Sequence, residues 1–155
     1  EAFFPLLCGD DDFIIRVFGR ILKENPGLRA KMTIATKGGI RFKNRPTGAP
    51  VRYDFSRAHL IAQCERSLEQ LGIETIDLLH LHRPDYLMDA AEVAGVFTEL
   101  RASGKVREFG VSNFSPSQLR DAVRKINGRF ITEASGGINE TTLRAYAEQG
   151  LILFQ

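Results

Sequence analysis

Short apolar runs alternate with amphipathic helical stretches along nearly the whole chain, and this alternation restricts the folds that it can adopt. Strand-like runs include "MTIATKGG", "TIDLLHLH" and "VREFGVS", and a helical pattern follows each of them after a loop. Alternation of this kind is typical of a parallel sheet that is covered by helices. Five strand-to-helix steps and a last strand predict an α/β fold of about six mostly parallel strands and five helices.

Six strands are too few to close an eight-stranded barrel whose interior is filled by side chains. We therefore predict either an open, flavodoxin-like sheet or a partial (β/α) barrel. Both leave unpaired strand edges, which favours a homodimer that forms through the exposed edges. Residues 40–55 show no periodicity, and this segment is predicted to be a long loop.

Length and composition indicate a single domain over residues 1–155. The 21 basic and 19 acidic residues are interleaved and give a net charge of +2, so they offer no electrostatic argument for nucleic-acid binding. No apolar run approaches the about 20 residues that a membrane-spanning helix requires. Cys8 and Cys64 form neither a disulfide framework nor a metal-binding motif, and the expected location is the reducing cytoplasm.

The stretch "LLHLHRPD" ends a buried strand with a run of polar residues. The carboxyl ends of strands are where α/β proteins bind ligands, so His82 is a candidate functional residue. His80 lies two residues earlier on the same face and is equally consistent with a packed core imidazole. A His-x-His pair can ligate zinc, but the sequence offers no third ligand at a useful spacing, and no metal site is predicted.

Three segments together resemble the aldo-keto reductases, which are (β/α)8 barrels that reduce carbonyl compounds with NADPH. These segments are "IATKGGI", "SLEQLGIETIDLLHLHRPD" and "GKVREFGVSNFS", and the resemblance covers about Phe18 to Ile126. It implies that Lys37 is the lysine that activates a catalytic tyrosine and that His82 orients the substrate. It also implies that Ser112 and Asn113 bind the carboxamide of nicotinamide, although both residue types also cap helices.

The sequence departs from this family at the catalytic acid. The family has an aspartate and a tyrosine in a segment of the form Asp-x-Ala-x-x-Tyr-Gly. Aligning its glycine with Gly9 places Phe3 at the aspartate and Cys8 at the tyrosine. Neither side chain can perform these roles, and Tyr53 and Tyr86 do not lie on the matching strand. The proton donor is therefore predicted to be missing.

The C-terminal stretch from Phe130 to Phe154 resembles the phosphate-binding end of the quinolinate phosphoribosyltransferases. That resemblance implies an anion site in which backbone amides at the start of a helix bind phosphate or sulfate. The matching residues are Glu133, Ser135, Gly136 and Gly137. The alternative is a tight turn in which the glycines serve backbone geometry alone.

Two families joined at about residues 127–130 suggest an engineered chimera, with an aldo-keto-reductase-like part at about 1–127 and a phosphoribosyltransferase-like part at about 128–155. The leading hypothesis is then a structural scaffold without native turnover, which binds no cofactor and retains phosphate or sulfate binding at Ser135–Gly137. The alternative is an aldo-keto reductase fragment that uses NADPH to reduce aldehydes or ketones. A phosphoribosyl-transfer enzyme is a third reading, and it rests on one turn alone.

Overall fold

The computed structural model describes residues 2–5, 12–44, 46–126, 133–134 and 153–154. Its helices are α1 (Asp12–Glu24), α2 (Arg57–Leu71), α3 (Ala90–Ala102) and α4 (Pro116–Ile126), with one 3₁₀ turn at Arg29–Lys31. Its strands are β1 (Ala2–Pro5), β2 (Met32–Gly38), β3 (Ile40–Arg41), β4 (Arg52–Tyr53), β5 (Ile76–Leu81), β6 (Val106–Val111), β7 (Glu133–Ala134) and β8 (Leu153–Phe154). The sequence pattern also predicts a helix over residues 140–149, and these residues lie outside the described part of the chain.

The main sheet has the order β1-β2-β5-β6, and all its strands are parallel. The predicted α/β class is therefore confirmed. The spatial order follows the chain order, whereas a doubly wound sheet reverses its order at a switch point. Of the two predicted architectures, the sheet thus matches the partial barrel. Its edges are β1, where Pro5 removes a backbone donor, and β6. Dimerisation through such edges stays a prediction.

The prediction of an unstructured loop over residues 40–55 is wrong at both ends of that segment. Here β3 and β4 pair as an antiparallel ribbon, with Ile40 opposite Tyr53 and Arg41 opposite Arg52. An ion pair between Arg41 and Asp54, at 2.5 Å, supports the ribbon. Strands of two residues are too short to show an alternating pattern, and the sequence therefore gave no signal for them.

The core lies between the main sheet and the helices α2, α3 and α4. All six residues of β5 are buried, as expected for a central parallel strand that is covered on both faces. The rings of Phe97 and Phe109 stack with their centroids 4.0 Å apart. Helix α2 ends at Gly72, which adopts a left-handed conformation with φ 64°. Ser56 occupies the N-cap position of α2, but its side chain makes no capping hydrogen bond.

Among the helices of the described part, none combines the length and the apolarity that crossing a bilayer requires.

Candidate active site

The carboxyl ends of β2, β5 and β6 bring four of the predicted residues to one edge of the sheet. Lys37 is the penultimate residue of β2, and His82 and Ser112 directly follow β5 and β6. The parallel register places Lys37 opposite His80 and Leu81 opposite Val111, so the three strands end at the same level. We refer to Lys37, His82, Ser112 and Asn113 as the strand-end cluster.

Hydrogen bonds join the strand-end cluster into a closed ring. The Lys37 Nζ donates to Ser112 Oγ at 3.1 Å, and Asn113 Nδ2 donates to the same oxygen at 3.0 Å. Asn113 Nδ2 also donates to the His82 carbonyl oxygen at 3.1 Å, and the His82 amide donates to the Gly38 carbonyl oxygen at 2.9 Å. Gly38 is bonded to Lys37, which completes the ring. The structure thus brings together residues that are up to 76 positions apart in the chain.

Asn113 holds its side chain in the ring through an unusual backbone conformation. Its φ of 63° lies in the left-handed region, which asparagine tolerates better than most residues. The Asn113 side chain donates two hydrogen bonds from Nδ2, and within the described residues its Oδ1 accepts no hydrogen bond. This exposed acceptor at the strand ends is free to receive an N–H group from a ligand.

His82 is a neutral imidazole at physiological pH. Burial, followed by the positive charge of Lys37, lowers the pKa of His82 from 6.5 to about 4. Its Nδ1 atom is buried and has no hydrogen-bond partner in the part of the chain that the structure describes. A neutral imidazole carries a single N–H donor, and His82 can therefore donate one hydrogen bond to a bound group without adding charge.

The lowered pKa of His82 predicts a loss of stability in mild acid. Between the folded-state pKa of about 4 and the ordinary value of 6.5, the unfolded chain binds the proton and the folded chain does not. The free energy of unfolding should therefore fall from about pH 7 to about pH 5, with His82 contributing on the order of 1 kcal/mol. Urea titrations of the wild-type chain and of His82→Gln measure this contribution, since other groups titrate alike in both. An equal fall in both chains would contradict it.

A glutamine on α2 fixes the turn that follows Lys37, and the sequence analysis missed it. Gln63 Oε1 accepts from the Gly39 amide at 2.6 Å, and Gln63 Nε2 donates to the Ile40 carbonyl oxygen at 3.1 Å. Two features require a glycine at position 39. Its φ is 101°, which side chains rarely adopt, and a Cβ atom there would lie 1.9 Å from the Phe55 ring. The sequence feature that could have indicated this role is the position of Gln63, three residues after the buried Leu60 and close to the buried face of α2.

The register of β1 argues against Phe3 as the position of the family's aspartate. Phe3 lies opposite Thr33, four residues before Lys37 on β2. At about 3.3 Å per residue this is a separation of roughly 13 Å along the strand, so a carboxylate at position 3 could not pair with Lys37. Cys8, the match to the tyrosine, lies outside the described residues.

Neither of the two candidate substitute tyrosines reaches Lys37. The Tyr86 hydroxyl accepts from Gln118 Nε2 at 2.6 Å, and its side chain is 85% exposed. Tyr53 lies on β4 and makes no hydrogen bond to Lys37. Within the described residues, therefore, no phenol hydrogen-bonds to this lysine.

The predicted anion site is only marginally covered by the structure. Glu133 begins the short strand β7, which pairs with β8 in parallel. Ser135, Gly136 and Gly137 lie outside the described residues. Phosphate or sulfate binding at this turn stays a prediction.

Comparisons with known proteins decide the ancestry of this arrangement. The model of the aldo/keto reductase family matches residues 16–134, which is well over half of the chain. The chain belongs to the aldo/keto reductase family. The resemblance inferred from the three sequence segments is thereby confirmed.

Individual relatives agree with the family assignment. Oxidoreductase YdhF of Escherichia coli is 50% identical over 102 residues, which cover 66% of this chain and 34% of that protein. The uncharacterized oxidoreductase YcsN of Bacillus subtilis is 38% identical over 139 residues, which cover 88% of this chain and 44% of that protein. The solved structure of glycerol dehydrogenase AKR11B4 from Gluconobacter oxydans is 29% identical in sequence and has a TM-score of 0.73. The match covers 92% of this chain and 45% of that chain. The chain thus spans less than half the length of these relatives.

The comparisons do not support the chimera hypothesis. The family match continues to residue 134, and the alignment with YcsN includes 88% of the chain, so both cross the suggested junction at 127–130. They give no evidence for a quinolinate phosphoribosyltransferase segment or for an engineered scaffold. The alternative, an oxidoreductase fragment of this family, is better supported.

Proposed function

We propose that the strand-end cluster is the carbonyl-binding part of an aldo-keto reductase site, at which NADPH reduces an aldehyde or a ketone. The observation that carries this proposal is the closed ring of hydrogen bonds, which holds a cationic amine, a neutral imidazole, a hydroxyl and an amide at one edge of a parallel sheet. This edge is where parallel α/β sheets bind substrates. Membership of the family supports the same reaction class.

Lys37 and His82 suit the developing charge on a carbonyl oxygen. When hydride adds to the carbonyl carbon, the electron pair of the C=O bond moves to oxygen, and a nearby cation and an N–H donor stabilise it. The Lys37 charge lies close enough to lower the pKa of His82, so both groups act in one small volume. The oxygen then takes up a proton, and no described side chain is assigned as its donor.

Ser112 and Asn113 suit the carboxamide of nicotinamide. Asn113 Oδ1 offers the acceptor that the carboxamide NH₂ requires, and the buried Ser112 hydroxyl holds that side chain in place by accepting from Asn113 Nδ2. NADPH, when bound, supplies the hydride. The residues present fit the nicotinamide end of the cofactor, and the expectation that no cofactor binds has no support in the family assignment.

Titration of the chain with NADPH, followed by cofactor fluorescence, tests the nicotinamide contact. We expect saturable binding, and we expect Ser112→Ala to raise Kd about five- to tenfold, since one hydrogen bond contributes about 1 kcal/mol. Ser103→Ala is the matched control, because Ser103 lies in the turn after α3 and its hydroxyl donates to the Leu100 carbonyl oxygen. It should leave Kd unchanged.

Two results would oppose the proposal in different ways. Absence of saturable NADPH binding to the wild-type chain would refute the proposed cofactor. Equal weakening of NADPH binding by Ser112→Ala and Ser103→Ala would refute only the proposed role of Ser112. It would indicate that the substitutions impair folding rather than that Ser112 contacts the cofactor. Far-ultraviolet circular dichroism of both variants separates these causes.

A further inference from the structure

A second concave region lies at the opposite edge of the main sheet from the strand-end cluster. It is a cavity of about 1760 Å³ between α1, α2 and the amino-terminal ends of β2, β5 and β6. Thr33, Asp77 and Arg107 mark the three strand ends in its lining, and no member of the strand-end cluster contributes to it. Its chemistry is therefore separate from the proposed reduction.

Basic side chains concentrate in this cavity, which we call the basic cavity. Seven lysine and arginine residues line it against three acidic residues, an excess of four, whereas the whole chain has an excess of two. The interleaving of charges along the sequence is thus not preserved in space. A concave surface with an excess of one sign of charge raises the local concentration of ions of the opposite sign.

The buried acid of the cavity neutralises only two of these cations. Asp77 Oδ2 accepts from the Ile34 amide and forms an ion pair with Arg29, both at 2.8 Å, and Asp77 Oδ1 forms an ion pair with Arg107 at 3.0 Å. Both carboxylate oxygens are therefore engaged. Arg29 also donates to the carbonyl oxygens of Met32 and Thr75, so its guanidinium has a structural role.

The remaining cations include a row on one face of α1. Arg16, Arg20 and Lys23 are spaced four and three residues apart, which places them on adjacent turns of the same helix face. All three are exposed, and none forms an ion pair with a side chain in the described ranges. Like charges at this spacing repel one another, so the row is stabilised when an anion lies along it.

We propose that the basic cavity is a binding site for a linear oligophosphate. The row on α1 extends from Arg16 to Lys23, a rise of about 10 Å at 1.5 Å per residue, which is longer than one phosphate and comparable to a chain of three. Lys31 and Arg66 add further positive charge to the lining. A chain of phosphates offers a negative charge to each member of such a row, and charge-assisted hydrogen bonds to phosphate are strong.

Calorimetric titration with inorganic triphosphate tests this site. We expect saturable binding to the wild-type chain, and we expect the double variant Arg16→Gln, Arg20→Gln to weaken it at least about tenfold. The matched control is Arg120→Gln, Arg124→Gln, because these residues are also exposed, also four apart and on α4 away from the cavity. The control should change Kd less than about twofold.

Three results would overturn the proposal: no saturable binding, equal weakening by both double variants, or binding of inorganic monophosphate as tight as that of triphosphate. Each of these results would show that the basic cavity attracts anions only through general surface charge. A parallel titration with a nucleoside triphosphate shows whether the ligand is a free phosphate chain or one attached to a nucleoside. NADPH affinity should be the same in Arg16→Gln, Arg20→Gln as in the wild-type chain if the two sites are separate.

Discussion

Replacement of Lys37 by methionine should lower the rate of NADPH-dependent carbonyl reduction at least about 100-fold, since removal of one preorganised donor to a developing oxyanion costs that much or more. Methionine keeps the length and removes the charge and the hydrogen bond to Ser112 Oγ at 3.1 Å. The measurement is the loss of NADPH absorbance with a panel of aldehydes. We expect the loss mainly in kcat, because the charge is needed most in the transition state.

The matched control is Lys125→Met, because Lys125 is exposed in the last turn of α4. It should reduce turnover less than about twofold. Turnover that survives Lys37→Met at the level of Lys125→Met would refute the role of Lys37. Removal of the neighbouring charge in Lys37→Met should also raise the pKa of His82, which a pH titration of the imidazole followed by NMR measures.

The largest stability effect is expected for Gly39→Ala, with a decrease of about 3 kcal/mol or more in the free energy of unfolding. Two causes act together. The residue has φ 101°, a conformation that strains any side chain, and the added Cβ would approach the Phe55 ring to 1.9 Å. Urea unfolding followed by circular dichroism measures the change.

Gly48→Ala separates these two causes. Gly48 also has a positive φ, 83°, but no atom lies within 4 Å of its added Cβ. We expect a decrease of only about 1 kcal/mol there. Phe55→Ala in the Gly39→Ala background should relieve the collision, so the two substitutions together should cost clearly less than the sum of their separate effects. Additive effects, or similar effects at both glycines, would show that the collision is absent.

Most of the fold was predictable because its signals are local. The alternation of apolar runs and helical patterns predicted β2, β5 and β6 close to their observed bounds, each followed by a helix. In the structure, Gly72 ends α2 and Pro116 begins α4, each through its own backbone constraint. The ribbon of β3 and β4 escaped prediction because two paired residues carry no periodicity.

The site was predictable in its members and not in its connections. Lys37, His82, Ser112 and Asn113 each lie at or just after the carboxyl end of a recognisable strand, so their common edge could be expected from a parallel sheet. The closure of the ring through backbone groups depends on register and could not be read from the sequence. Gln63 was missed for the same reason, since its partners are backbone atoms of Gly39 and Ile40.

The chain order of the main sheet bears on how the protein folds during its synthesis. Each of β2, β5 and β6 pairs with the strand of this sheet that the ribosome delivered before it, so every addition extends one growing side. Among the described strands of this sheet, none must wait for a distant, later partner to insert between two that are already joined. Nascent segments can therefore add in the order in which they emerge, which shortens the exposure of incomplete intermediates to aggregation.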